Sequence, residues 1–143
     1  MSKFSRFMKE NKVTKSNEKY APTKSLTDEN GSPLEWEFRH ITAKENEDLR
    51  ERCTVDVQVK GKINMFRPKL NTSQYLTEMI CESVVYPDLL DAELQDSYSV
   101  KTPQELLFAM VDDPGEYQDL CVFIQEFQGF TETLDEKVEK AKN

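Results

Sequence analysis

The first clear pattern along the chain is an alternation of apolar and polar residues at 34–41, "LEWEFRHI". Leu34, Trp36, Phe38 and His40 point to one side, and the residues between them point to the other. This period of two predicts a half-buried β-strand. Because His40 lies at the end of the apolar side, we expect a partly buried strand-end histidine rather than a catalytic one.

A second alternation, "VDVQV" at 55–59, is followed by "KGK" and by "INMF" at 63–66. Two short apolar runs separated by a glycine-containing turn predict an antiparallel hairpin. The strand at 34–41 is a candidate third member of this small sheet. Pro68 is expected to end the second arm, because proline has no N–H to donate to a ladder.

The rest of the chain reads as helical, and several of the predicted helices begin with a capping signal. Thr42–Glu45 is a capping box, and Asn71, Thr102 and Asp113 are N-cap residues. The predicted helices are 42–53, 72–85, 87–96, 103–111, 114–128 and 131–143, with a further short helix near 2–11. The residues expected to face inward include Leu76, Met79, Ile80, Val84, Leu89, Leu90, Leu94, Leu106, Leu107, Met110 and Val111.

The helix within "EYQDLCVFIQEFQGF" (116–130) is more apolar than a one-sided surface helix needs to be. Phe123 and Phe127 widen its apolar stripe to an arc of roughly 160°. Such a stripe is usually core, but the predicted last helix offers few apolar residues to cover it. The alternative is a groove left open for a partner helix. The candidate partner-binding residues are Tyr117, Phe123, Phe127, Phe130, Leu134 and Val138.

These elements predict an α+β fold that is predominantly α-helical. A small N-terminal antiparallel β element precedes a compact set of four or five helices. The chain length of 143 residues suits one domain. Residues 1–32 are polar and basic, and are predicted to form a flexible arm and linker. Residues 33–143 are predicted to form a single α-rich globular domain.

Charge is unevenly distributed along the chain. The net charge is −8, but residues 1–24 carry seven basic and two acidic side chains, so the remainder carries −13. An acidic body disfavours nucleic acid as a partner, because binding a polyanion requires neutralising Lys or Arg. The sequence contains no run of 18 apolar residues, which a membrane-spanning helix would need. Its N-terminus lacks the apolar region of a secretory signal. We therefore expect a cytoplasmic protein.

The sequence offers little that resembles catalytic or metal-binding chemistry. Three cysteines at wide spacings and a single histidine do not have the paired spacing of a zinc site, and reduced thiols are expected. No phosphate-binding loop, nucleophile elbow, metalloprotease motif or EF-hand is present. No catalytic residue, metal ligand or cofactor is therefore expected, and the composition favours a non-enzymatic interaction protein that could also self-associate.

The second half of the chain resembles the XkdN-like tail assembly chaperones of phages and prophages with long tails. The most specific matching string is "DAELQDSY" at 91–98, preceded by Tyr86-Pro87 and Leu89. Further matches are "ELL" at 105–107, "PGEY" at 114–117 with Leu120, and "GF" at 129–130. Upstream, "WEFRHITAKENEDLRERCT" is similar to the strand and acidic helix of the family. The resemblance covers roughly residues 33–143.

The resemblance implies a non-enzymatic function in tail assembly. Members of the family bind the tape measure protein, cover its aggregation-prone helical segments until the tail tube polymerises, and are absent from the finished virion. The tail tube protein is a second candidate partner. The alternative is a structural tail or baseplate component that stays in the particle.

Overall fold

The computed structural model describes residues 2–130 and contains two small sheets and five α-helices within that range. The strands are β1 (Glu18–Tyr20), β2 (Trp36–Phe38), β3 (Thr54–Gln58), β4 (Phe66–Leu70) and β5 (Val84–Tyr86). The helices are α1 (Ala43–Arg52), α2 (Thr72–Ser83), α3 (Ala92–Ser97), α4 (Pro103–Met110) and α5 (Pro114–Phe127). The predicted fold class, α+β and mainly helical, is confirmed. The predicted helix at 131–143 lies outside the described residues.

The strand predicted at 34–41 is shorter than expected and lies at the centre of a sheet. β2 pairs antiparallel with β1 on one side and with β5 on the other. Trp36 and Phe38 are almost fully buried, whereas Leu34 is 43% exposed. The prediction that this strand could join the hairpin is wrong, because its partners are β1 and β5.

The predicted hairpin is present, but its second arm begins later than expected. β3 and β4 form a separate two-stranded sheet in which Asp56 lies opposite Pro68. Pro68 therefore does not end the arm. The Val59 N–H donates to the Met65 carbonyl at 2.8 Å, and hydrogen-bonded pairs alternate along an antiparallel ladder. The Pro68 nitrogen consequently faces away from β3, where no ladder bond is lost.

Four of the predicted helix starts are confirmed by capping hydrogen bonds. Thr42 and Glu45 form a reciprocal capping box, with bonds of 2.9 and 3.1 Å. Asn71, Thr102 and Asp113 each accept a bond from a first-turn N–H. The side chain of Asp91 caps α3 in the same way, so this helix begins at Ala92 rather than at 87.

The core is built around α2, which contacts α1, α4 and α5. The buried apolar residues of the core are Trp36, Phe38, Leu49, Cys53, Tyr75, Met79, Ile80, Leu89, Leu106, Leu107, Met110, Val111, Leu120 and Ile124. Leu76, Val84 and Leu94 are only partly buried. The expectation that Leu90 faces inward is wrong, because its side chain is 73% exposed in the loop before α3.

The N-terminal segment divides at about residue 17. Residues 5–11 form two short 3-10 turns with exposed Phe4 and Phe7 rather than the single helix predicted near 2–11. From β1 onward the chain packs against the body, and Tyr20 and Leu26 lie against the core. The predicted boundary at residue 32 therefore does not separate β1 from the sheet to which it belongs.

Candidate functional site

The aromatic side of α5 faces the protein's own sheet at Phe123. This ring stacks on Tyr20 with centroids 4.1 Å apart and an interplanar angle of 7°. It also meets Phe38 edge-on at 5.2 Å and lies 5.6 Å from the Phe127 ring. Tyr20, at the end of β1, covers the aromatic side of α5 for which the sequence pattern predicted little cover. Phe123 is therefore part of the packing between sheet and helix.

Phe127 continues the same row toward the end of β2. Its ring stacks on the His40 imidazole with centroids 4.0 Å apart. His40 is half-buried, as expected for a strand-end histidine, and its Nδ1 has no hydrogen-bond partner within residues 2–130. Gly129, with φ +92°, then ends the helix, and the Phe130 N–H donates back to the Gln125 carbonyl at 3.0 Å. Phe130 is half-buried against the core.

Tyr117 lies on a different side of α5, two turns away from this row. Its hydroxyl shares a 2.7 Å hydrogen bond with the Thr77 hydroxyl on α2. Its ring lies 4.8 Å from Phe108, which is 50% exposed. Burial raises the pKa of Tyr117 to about 12, so the hydroxyl stays neutral. Tyr117 and Phe123 thus do not form one continuous surface.

At Phe123 and Phe127 the apolar side of α5 packs against the protein's own residues. Both rings are half-buried, because β1 and His40 cover them. Leu134 and Val138 lie outside the described residues. The structure gives Tyr117, Phe123, Phe127 and Phe130 internal contacts, and their binding of a partner stays a prediction.

The surroundings of Cys53 and Cys81 raise the pKa of both thiols. The Cys53 thiol donates to the Glu78 carboxylate at 3.1 Å, and burial with that carboxylate raises the pKa of Cys53 to about 11. Burial likewise raises the pKa of Cys81 to about 12. A protonated thiol is a poor nucleophile and a poor metal ligand. These two cysteines are therefore unsuited to thiolate chemistry at neutral pH.

An ion-pair network joins α1, α2 and the end of β2. Arg39 contacts Glu45 at 2.8 Å and Glu82 at 3.1 Å. The hydrogen bond from Arg39, with that from the Thr42 backbone, lowers the pKa of Glu45 to about 2. Across residues 2–130, no group of three or more His, Cys, Asp or Glu side chains could hold a metal ion. No helix of this part of the chain is long and apolar enough to cross a membrane.

Exposed apolar side chains are concentrated elsewhere than on α5. The hairpin of β3 and β4 exposes Val55 at 46%, Met65 at 51%, Phe66 at 62% and Ile63 at 84%. A second set, Val85, Tyr86 and Leu90, surrounds the end of β5. The sequence pattern predicted the hairpin but not its exposure, because a third strand was expected beside it. The exposure of these apolar side chains on the hairpin was thus not predicted from the sequence.

The described residues form a small, mainly helical α+β fold with exposed apolar side chains on the hairpin and at the end of β5. In comparison with known proteins, residues 4–142 match the phage XkdN-like tail assembly chaperone protein (TAC) family. The chain belongs to this family, as the "DAELQDSY" region indicated.

Two relatives and one solved structure show how far the similarity extends. The chain is 26% identical over 121 residues to the phage-like element PBSX protein XkdN of Bacillus subtilis, covering 85% of this chain and 80% of that protein. The uncharacterised protein YqbN of the same organism has the same identity and coverage. The crystal structure of YqbN superposes with a TM-score of 0.73 at 21% identity, covering 91% of this chain and 98% of that one. The fold is therefore shared.

Proposed function

We propose that this protein is a phage or prophage tail assembly chaperone that binds the tape measure protein and keeps it soluble until the tail tube assembles. The observation that carries the proposal is the family match over residues 4–142. The exposed apolar side chains of the hairpin and of the β5 end support it, because a chaperone must offer apolar surface to its client.

A helical client requires an apolar binding surface. An amphipathic helix released in water exposes an apolar stripe, and covering that stripe removes the driving force for its aggregation. The four predicted residues that the structure describes are all half-buried: Tyr117, Phe123, Phe127 and Phe130. Leu134 and Val138 follow Phe130 in sequence. In this proposal the tail tube protein is a second partner. The protein acts in the host cytoplasm and leaves before the virion is complete.

Co-expression tests the proposal directly. The protein is produced with the tape measure protein of the same gene cluster, and the soluble fraction is analysed by affinity capture and size exclusion. We expect a stoichiometric soluble complex and an insoluble tape measure protein when it is expressed alone. A tape measure protein that remains equally insoluble in the presence of the chain would contradict the proposal.

The alternative is a structural tail or baseplate component. Quantitative mass spectrometry of purified particles separates the two, because a chaperone is depleted from particles relative to the lysate. A fixed number of copies per tail would establish the structural alternative.

A further inference from the structure

The β3–β4 hairpin has one face on which apolar and basic side chains share the same surface. Directly opposed residues of an antiparallel pair point to the same side. The register pairs Val55 with Lys69 and Val57 with Arg67, and the Val59–Met65 hydrogen bond extends it by one pair. We call this surface the valine face; it consists of Val55, Val57, Val59, Met65, Arg67 and Lys69.

The valine face borders a groove of about 390 Å³, and among its apolar residues Val55 and Met65 are exposed. The groove is lined by Val55, Val57 and Lys69 and by residues 70–73 at the start of α2. β3 and β4 pair only with each other among the described strands. A two-stranded ribbon is marginal in water and gains stability from a third strand or a packed helix. The exposed Val55 and Met65, beside the half-buried Val57 and Val59, are therefore a surface suited to a partner.

The charge of the hairpin is opposite to that of most of the chain. Residues 54–70 contain Asp56 and four basic residues, in a protein of net charge −8. Within residues 2–130, none of these four side chains takes part in an ion pair; they are Lys60, Lys62, Arg67 and Lys69. Unpaired cations beside aliphatic side chains complement a partner that presents carboxylates beside an apolar stripe.

Pro68 favours a partner lying on the face over one that adds a strand at the β4 edge. Its ring nitrogen occupies the outward position of that edge and has no hydrogen to donate. A strand added at that edge would lack one backbone hydrogen bond, because Pro68 at the centre of β4 has no N–H to donate. A helix lying across the valine face requires no backbone hydrogen bonds from the hairpin.

We propose that the valine face docks an acidic amphipathic helix of the client, with its apolar stripe on Val55, Val57 and Met65 and its carboxylates beside Arg67 and Lys69. The proposal rests on the proposed chaperone function and names the surface and the chemistry of the client segment. Nucleic acid is disfavoured, because the aliphatic face offers no ring for base stacking and the rest of the chain is acidic.

A matched pair of charge-reversal variants tests the inference. Arg67→Glu/Lys69→Glu alters the valine face, and Lys3→Glu/Lys101→Glu makes the same change of net charge at exposed positions elsewhere. The probes are overlapping peptides of ~25 residues from the tape measure protein, long enough for several helical turns. We expect the hairpin variant to bind acidic amphipathic peptides about tenfold more weakly and the control variant to bind them nearly as wild type does.

A photocrosslinking amino acid at Met65, with one at the exposed Glu29 as control, identifies the occupant. We expect crosslinks from position 65 to client peptides that contain an apolar stripe and several Asp or Glu residues. Circular dichroism of each variant verifies that the fold is intact.

The outcomes separate the two proposals. If the wild-type chain forms no complex with the tape measure protein, the proposed function fails and this occupant fails with it. If the wild type binds and both charge variants bind equally well, the chaperone function stands and the valine face is not its docking site. Loss of self-association in sedimentation, or loss of binding to a labelled oligonucleotide, confined to the hairpin variant would overturn the inference in favour of a second copy or of nucleic acid.

Discussion

The stacked rings of Tyr20 and Phe123 connect a strand near the N-terminus to α5. Truncating a fully buried phenylalanine costs about 3–5 kcal/mol, and a half-buried one less. We therefore expect Phe123→Ala to lower the free energy of unfolding by about 2 kcal/mol in urea titrations followed by circular dichroism. Phe66→Ala is the matched control, because Phe66 is 62% exposed, and we expect a change within about 0.5 kcal/mol.

The same pair of variants separates packing from binding at Phe123. If Phe123→Ala leaves stability unchanged and weakens the capture of the tape measure protein, Phe123 belongs to a binding groove and the packing explanation fails. If stability falls and capture by the remaining folded protein is normal, the stacking on Tyr20 is structural.

Glu45 gives the protein a predictable acid sensitivity. Its pKa is lowered from 4.5 to about 2 by the Arg39 hydrogen bond, so its contribution to stability is present above pH 4.5 and is lost as the pH falls toward 2. Because the pair is about one-third exposed, solvent screening reduces this contribution to about 1 kcal/mol. We expect Glu45→Gln to be less stable at pH 7 and to lose less stability than wild type between pH 4.5 and 2.

Unfolding titrations at several pH values measure this difference. Glu47→Gln, on an exposed residue of the same helix, is the control. Equal pH profiles for Glu45→Gln and wild type would show that the Arg39–Glu45 pair does not contribute.

At the scale of elements, Glu116 holds the segment after β1 onto the start of α5. The Thr23 hydroxyl, which is 1% exposed, donates to its Oε1 at 2.8 Å, and the Lys24 N–H donates to its Oε2 at 2.8 Å. Hydrogen bonds to a charged group contribute about 1.5–3 kcal/mol each. We expect Glu116→Ala to loosen this segment and to speed trypsin cleavage after Lys24.

The control is Glu126→Ala, which removes an exposed carboxylate from the same helix. Limited proteolysis followed by mass spectrometry measures the two cleavage rates. Equal rates in the two variants would mean that the Glu116 contacts do not hold the segment.

Local signals predicted the hairpin, β2 and four helix starts but not β1 or β5, while contacts distant in sequence determined which surfaces are covered. The caps at Thr42 and Asp113 act within one turn, so a short window of sequence contains them. The pairing of β2 with β1 and β5 depends on long-range packing that no period along the chain encodes. For the same reason α5 appeared uncovered, although Tyr20 lies on Phe123.

Pro68 and the hairpin illustrate the same limit on sequence prediction. A proline ends a strand where its nitrogen must face a neighbour, and it is tolerated where the nitrogen faces an open edge. The choice depends on the register, which the sequence alone did not determine. Met65 and Phe66 lie on opposite faces of the hairpin and are both exposed; whether another element packs on a sheet face is likewise not encoded in the period along the strand.

At the scale of the whole molecule, the contacts place the start of the folded body near residue 17 rather than at 32. Residues 3–15 are almost all exposed, and the Asn17 side chain donates a hydrogen bond to Glu37 of the sheet at 3.1 Å. Beyond it, β1 supplies Tyr20 to the aromatic row, and Pro22 and Thr23 are buried. The basic residues before Asn17 thus contribute charge but little packing.

Two N-terminal deletions test this boundary. Removing residues 2–16 takes away exposed side chains, and we expect the free energy of unfolding to change by less than about 1 kcal/mol. Removing residues 2–27 also deletes β1, the Tyr20–Phe123 stack and the bonds to Glu116, and we expect a loss of about 3–5 kcal/mol. Thermal and urea unfolding of the two shortened chains measure the difference. If both deletions leave stability unchanged, the body begins at residue 33, and β1 is an accessory strand whose removal opens Phe123 to a partner.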